Sequence, residues 1–157
     1  MYEGQQPPPA RSEQPTVDAA KLWSGGAATA IVTALIAVVG ILIARGVLDI
    51  FILAPSEKGA WDAASAGPYA LCAALGALAA TALMHLLLMT TPRPTLFFGW
   101  IMLLVAAVAG VWPFTTGADL ENQVATAVLN VIIVLAAWSL ITGTAHRVVR
   151  MPSPGVY

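Results

Sequence analysis

Charge is what this sequence has least of. Asp, Glu, Lys and Arg make up 10% of the chain, against about 25% in soluble domains. The seven basic and eight acidic residues all lie outside four stretches, Ser24–Ala44, Tyr69–Thr90, Thr95–Trp112 and Asn122–Ala145. These stretches hold 21, 22, 18 and 24 residues, and a helix needs roughly 20 apolar residues to cross the hydrocarbon core of a bilayer. Each can span, the third only just. The expected fold is all-α, an antiparallel bundle of four transmembrane helices.

Other absences narrow the function. Cys72 is the single cysteine, which excludes an intramolecular disulfide and any multi-cysteine zinc or iron–sulfur site. Its simplest role is that of a small buried hydrophobe. No carboxylate lies within a span, and His85 is the only ionisable group there. A metal site needs further ligands, and a nucleophile needs a positioned base; neither is provided. Gly25-Gly26 starts a span without a phosphate-loop pattern. No cofactor, no metal, no catalytic residue and no nucleic-acid partner is expected, and the protein is read as a non-enzyme. The segments between spans are too short for a soluble catalytic domain.

What is present organises the chain in three parts. Residues 1–22 contain Pro7-Pro8-Pro9 and few apolar side chains after Tyr2, so they are expected to form a disordered cytoplasmic tail. Residues 23–146 form the membrane domain, and residues 147–157 a short cytoplasmic tail. The first span is too long for the core of a cleaved signal peptide and is read as an anchor that stays in the protein. Four spans put both termini on one side, together with Arg11, Lys21, Arg93, Arg147 and Arg150; only Arg45 and Lys58 face the other side. The positive-inside rule then makes the termini cytoplasmic. Asp49, four residues after Arg45, can pair with it if the first helix continues that far.

Aromatic residues mark the interfaces: Trp23, Phe97, Phe98 and Trp100 at the inner level, Trp61, Tyr69, Trp112 and Phe114 at the outer. Pro92 and Pro94 end one helix and begin the next, which forces a tight hairpin. In the long outer loop, Val47–Leu53 is apolar except for Asp49 and is expected to lie on the bundle as a short helix or strand.

Lipid tails solvate leucine well, so helices associate through small residues and interhelical hydrogen bonds. The first span carries a seam of Gly26, Ala30, Thr33, Ala37, Gly40 and Ala44, with Ala34 on its lipid side. The second is small on two faces, with Ala70, Ala74, Ala77 and Thr81 opposite Gly76 and Ala80, which predicts a central position. The third offers Gly99, Ala106 and Gly110. On the fourth, Asn122, Gln123, Thr126 and Asn130 form a polar stripe. Amides at depth must find partners, so Asn130 is expected in an interhelical hydrogen bond, with a ligand-lining role or an Asn–Asn contact between two copies as the alternatives.

His85 and Asn130 are the two functional candidates. Intramembrane ionisable residues are functional hypotheses by default. His85 lies five residues before Thr90, about 7–8 Å below the helix end, at the depth of Thr29 and Ser139. A hydrogen-bonded structural histidine is the plainer reading; a proton, metal or lipid-binding role is the sharper one.

Several motifs occur in order near the span ends: Leu22-Trp23-Ser24-Gly25-Gly26, Ala44-Arg45-Gly46-Val47-Leu48-Asp49, His85-Leu86-Leu87-Leu88, Thr90-Thr91-Pro92-Arg93-Pro94, Phe97-Phe98-Gly99-Trp100 and Pro113-Phe114-Thr115-Thr116-Gly117. From Leu22 to Arg147 the chain resembles small actinobacterial four-span membrane proteins, the domain of unknown function 6069 family. The resemblance implies a plasma-membrane context and no assigned activity or site residue. By elimination the expected function is that of an accessory or interaction subunit. Its expected partners are the lipid bilayer and another membrane protein or a second copy. The alternative is a small oligomeric transporter or channel using His85 and the Asn130 stripe. Small four-span exporters rely on a glutamate in the first span, and this first span has none.

Overall fold

Each charge-free stretch forms a helix. In the computed structural model, which describes residues 19–55, 61–63 and 65–148, α1 is Ala19–Val47, α2 is Ala66–Thr90, α3 is Pro94–Val111 and α4 is Leu120–Val148. A single 3-10 turn, Trp112–Thr115, lengthens the short third span to 22 residues. All four are long and apolar enough to cross a membrane. The molecule is an all-α membrane bundle.

Two helix ends lie beyond expectation. α1 begins at Ala19, inside the segment expected to be a disordered tail; the rest of that tail lies outside the described residues. Leu22 anchors the added turn: it is 1% exposed and packs with Met84, Phe98 and Ile141. α4 likewise runs through Val148, past the expected boundary at residue 146. Between α2 and α3 the proline hairpin forms as expected. Thr91 N–H donates to Leu87 O at 2.9 Å, and Pro94 opens α3, where its missing N–H costs nothing.

The seam on α1 is buried. Gly26, Ala30, Thr33, Ala37 and Ala44 are buried, while Gly40 is half-buried. It serves two neighbours. A Cβ on Gly26 would stand 2.4 Å from Thr81 Cγ2 on α2, and one on Gly40 would stand 2.3 Å from Leu129 Cδ1 on α4. Thr33 Oγ1 also donates across the interface to Ala73 O at 3.4 Å. Ala34, expected to face lipid, is half-buried and packs against the core. The small face of α3 meets α4, with Gly99 against Trp138 and Gly110 against Val131.

The central position is shared by α2, as expected, and α4. Each touches all three other helices; α4 meets α1 and α3 broadly, whereas α2 is broadly packed on α1 alone. The second small face of α2 therefore has no close neighbour along much of its length. Phe98 is another departure: placed at the interface by composition, it is 0% exposed and fills the inner core. Trp23, Phe97, Trp100, Trp112 and Phe114 stay exposed, as interfacial anchors should.

α1 stops before Asp49, which adopts a left-handed backbone with φ 55°, so the helical spacing that would pair it with Arg45 is not present. Ile50 N–H reaches back to Ala44 O at 2.9 Å, turning the chain onto the bundle. The apolar loop segment does lie on the helices, with Ile52 and Leu53 buried. It continues as β1, Leu53–Pro55, paired antiparallel to β2, Trp61–Ala63, with Leu53 opposite Ala63. This ribbon is the one sheet among the described residues.

Candidate functional site

The polar stripe of α4 has two separate uses. The half nearest the start of α4 holds the loop. Asn122 Oδ1 accepts Phe51 N–H at 3.0 Å, and Thr126 Oγ1 accepts Leu53 N–H at 2.9 Å. The spacing explains the match: two residues of extended chain advance about 6.6 Å, and four residues of helix rise about 6 Å. An i, i+4 pair of acceptors thus meets alternate N–H groups of a strand edge. Thr126 keeps its own proton satisfied by donating to Asn122 O at 2.7 Å, and Gln123 Nε2 donates to Ala118 O at 2.8 Å.

One turn deeper, Asn130 ties three helices together. Its Nδ2 donates to Ala109 O on α3 at 3.0 Å, and its Oδ1 accepts the hydroxyl proton of Tyr69 on α2. Ala109 O is available for a stated reason. Its helical donor would be residue 113, which is proline and has no N–H. A carbonyl left open in an apolar medium is costly, and Asn130 fills the vacancy. The interhelical bond expected of Asn130 is present, and its partner Tyr69 is more than the interfacial anchor its position suggested.

Beside this bridge, α2 and α3 separate over the face of α4. The gap is a cleft of about 450 Å³. Cys72, Gly76, Ala79 and Ala80 form its α2 wall, Met102 and Val105 its α3 wall, and Val134 and Ala137 its floor. Tyr69 and Asn130 close one end with their polar atoms already paired. Cys72, Gly76, Ala79 and Val105 are exposed, so the cleft opens sideways, toward the bilayer. A Cβ on Gly76 would meet nothing within 4 Å. Cys72 is accordingly not the buried hydrophobe its composition suggested; it is an exposed thiol on the cleft wall.

His85 lies elsewhere. It is half-buried, and its buried Nδ1 has no hydrogen-bond partner among the described residues. Neither expected partner reaches it: Thr29 Oγ1 donates to Gly25 O of its own helix at 2.8 Å, and Ser139 is exposed. Thr142 Oγ1 on α4 is buried and likewise unpartnered. Among the described residues no cluster of three His, Cys, Asp or Glu side chains could hold a metal ion.

Pattern reading missed three features. The Tyr69 contact had no signal in spacing. The service of Asn122 and Thr126 to a strand could have been found by matching helical and extended rises. The open carbonyl at Ala109 was legible from Pro113 alone.

Residues 17–148 match the model of a family of unknown function, DUF6069, and the chain belongs to that family. No curated protein and no solved structure matches it.

Proposed function

We propose that this member of the DUF6069 family is a non-enzymatic accessory subunit whose α2–α3 cleft receives a transmembrane helix of a partner membrane protein. The cleft carries the reading. Small residues facing outward are what close helix approach in a membrane requires, and Gly76 presents bare backbone with open space in front of it. The polar pair at the end of the cleft is satisfied internally, so the occupant need bring no charge. A second copy fits poorly, because a two-fold contact sets the same patch against itself, here concave against concave. A protruding helix of another chain fills it.

The distribution of basic residues favours cytoplasmic termini, and the plasma membrane is the location that the family resemblance implies. A transporter or channel has less support. His85 and Tyr69, the α2 partner of Asn130, are sixteen residues apart on α2, about 24 Å of helix, and His85 does not line the cleft.

Cys72, the sole thiol, makes the test direct. A photo-crosslinker on Cys72 in native membranes should capture one other membrane protein. Gly76→Trp, which fills the cleft, should abolish that adduct, and Gly46→Trp, at a site with nothing within 4 Å and outside the cleft, should leave it. Adducts only with lipid or a second copy, or an adduct indifferent to Gly76→Trp, would overturn the proposal.

A further inference from the structure

A second cavity, of about 400 Å³, lies between the start of α1 and the end of α4. Its character is opposite to that of the α2–α3 cleft. Lys21 and Arg147 contribute two cations, and Ser24, Ser139 and Thr144 contribute hydroxyls. We infer that it binds a phosphate group at the membrane surface, carried by an anionic phospholipid headgroup or by a soluble phosphate.

Four observations point there. First, among the described residues every carboxylate, Asp49, Asp62, Asp119 and Glu121, belongs to the outer loops or to the opposite end of the helices. Among the described residues the charged side chains lining the cavity are both cations, which favours an anion. Second, the donor geometry is selective. Ser24 Oγ donates to Lys21 O and Thr144 Oγ1 to Leu140 O, both at 2.9 Å, so both hydroxyl protons are used. Ser139 makes no hydrogen bond among the described residues and can give its proton to a phosphate oxygen. The Arg147 guanidinium supplies the planar fork suited to such an oxygen pair, and Lys21 adds a point charge.

Third, the cavity has depth. Ser139 and Arg147 are eight residues apart on α4, about 12 Å of helix rise. The cavity therefore runs from the charged end of the helix toward the hydrocarbon, as a headgroup with its glycerol does. Fourth, the opening is maintained by the backbone: a Cβ on Gly143 would meet nothing within 4 Å. Basic pockets between transmembrane helices are a recurrent way of holding such headgroups.

The test uses the full chain, extracted in mild detergent from bilayers of mixed phosphatidylglycerol and phosphatidylcholine, with bound lipid counted by native mass spectrometry. Phosphatidylglycerol should be retained and phosphatidylcholine lost. Each surface cation is worth a factor of about five in anionic-lipid affinity, so Lys21→Gln and Arg147→Gln should each lower retention by about that factor. Arg93→Gln, at the same end but outside the cavity, should leave it unchanged. Ser139→Ala, at an exposed position that leaves folding undisturbed, should lower retention without changing total charge. Displacement of lipid by millimolar inorganic phosphate would identify a site that also takes free phosphate; resistance would identify the lipid as the source. Equal retention of the two lipids, or an Arg93→Gln effect as large as the Arg147→Gln effect, would overturn the inference.

Discussion

At the scale of single residues, Asn130 is the most consequential polar group in the bilayer. It satisfies a carbonyl that Pro113 leaves open and a tyrosine hydroxyl on a third helix. Asn130→Leu should cost about 1–3 kcal/mol by leaving both partners bare. Tyr69→Phe should cost less, near the ~0.6 kcal/mol average of hydrogen bonds within membranes, since Asn130 keeps its bond to α3. Detergent unfolding of the two variants checks the order. His85 behaves oppositely. Its buried Nδ1 has no partner among the described residues, so His85→Leu should be as stable as the parent. A loss beyond about 1 kcal/mol would reveal a partner, since that is what an abandoned buried group costs.

At the scale of the helices, α1 uses two glycines in different ways. Gly26 faces Thr81, a short β-branched side chain that is 0% exposed and whose hydroxyl is tied to Ala77 O at 2.9 Å. Such a side chain is stiff at χ1 and cannot yield. Gly40 faces the far end of Leu129, which can rotate away. Gly26→Ala should therefore destabilise by about 1–3 kcal/mol, and Gly40→Ala by clearly less, with Gly46→Ala as a neutral control. Thermal denaturation of the three variants in one detergent gives the ranking; equal costs would mean that the α1–α2 contact is looser than described. The seam itself was legible in the sequence as a recurrence of small residues. Its division between α2 and α4 was not, because periodicity names a face of a helix and not its neighbours. For the same reason Ala34 was assigned to lipid although it packs against the core.

At the scale of the whole molecule, the proposed orientation rests on the distribution of basic residues. With Cys72 replaced by serine, a cysteine at residue 119 should react with an impermeant reagent in intact cells, and one at residue 93 should not. The reverse pattern would invert the bundle and transfer the Lys21–Arg147 cavity to the outer leaflet. The β1–β2 ribbon belongs to this scale too. Asn122→Ala together with Thr126→Ala removes both acceptors of the Phe51 and Leu53 N–H groups. Amide exchange there should accelerate while the inner half of the bundle stays protected. Uniform acceleration would show that the loop and bundle unfold as one unit.

The sequence by itself determined that there are four membrane helices, where the hairpin between α2 and α3 turns, which residue types pack, and that Asn130 must find a polar partner. Each of these follows from local physics: the width of the hydrocarbon core, the missing N–H of proline, the need to satisfy polar groups without water. Tertiary structure alone decided that α4 shares the central position with α2, that Phe98 is core and Cys72 is exposed, and that α2 and α3 part to leave a cleft. These depend on how far apart two helix axes lie. That distance is set by the sum of all contacts along both helices, which no periodicity in one helix encodes.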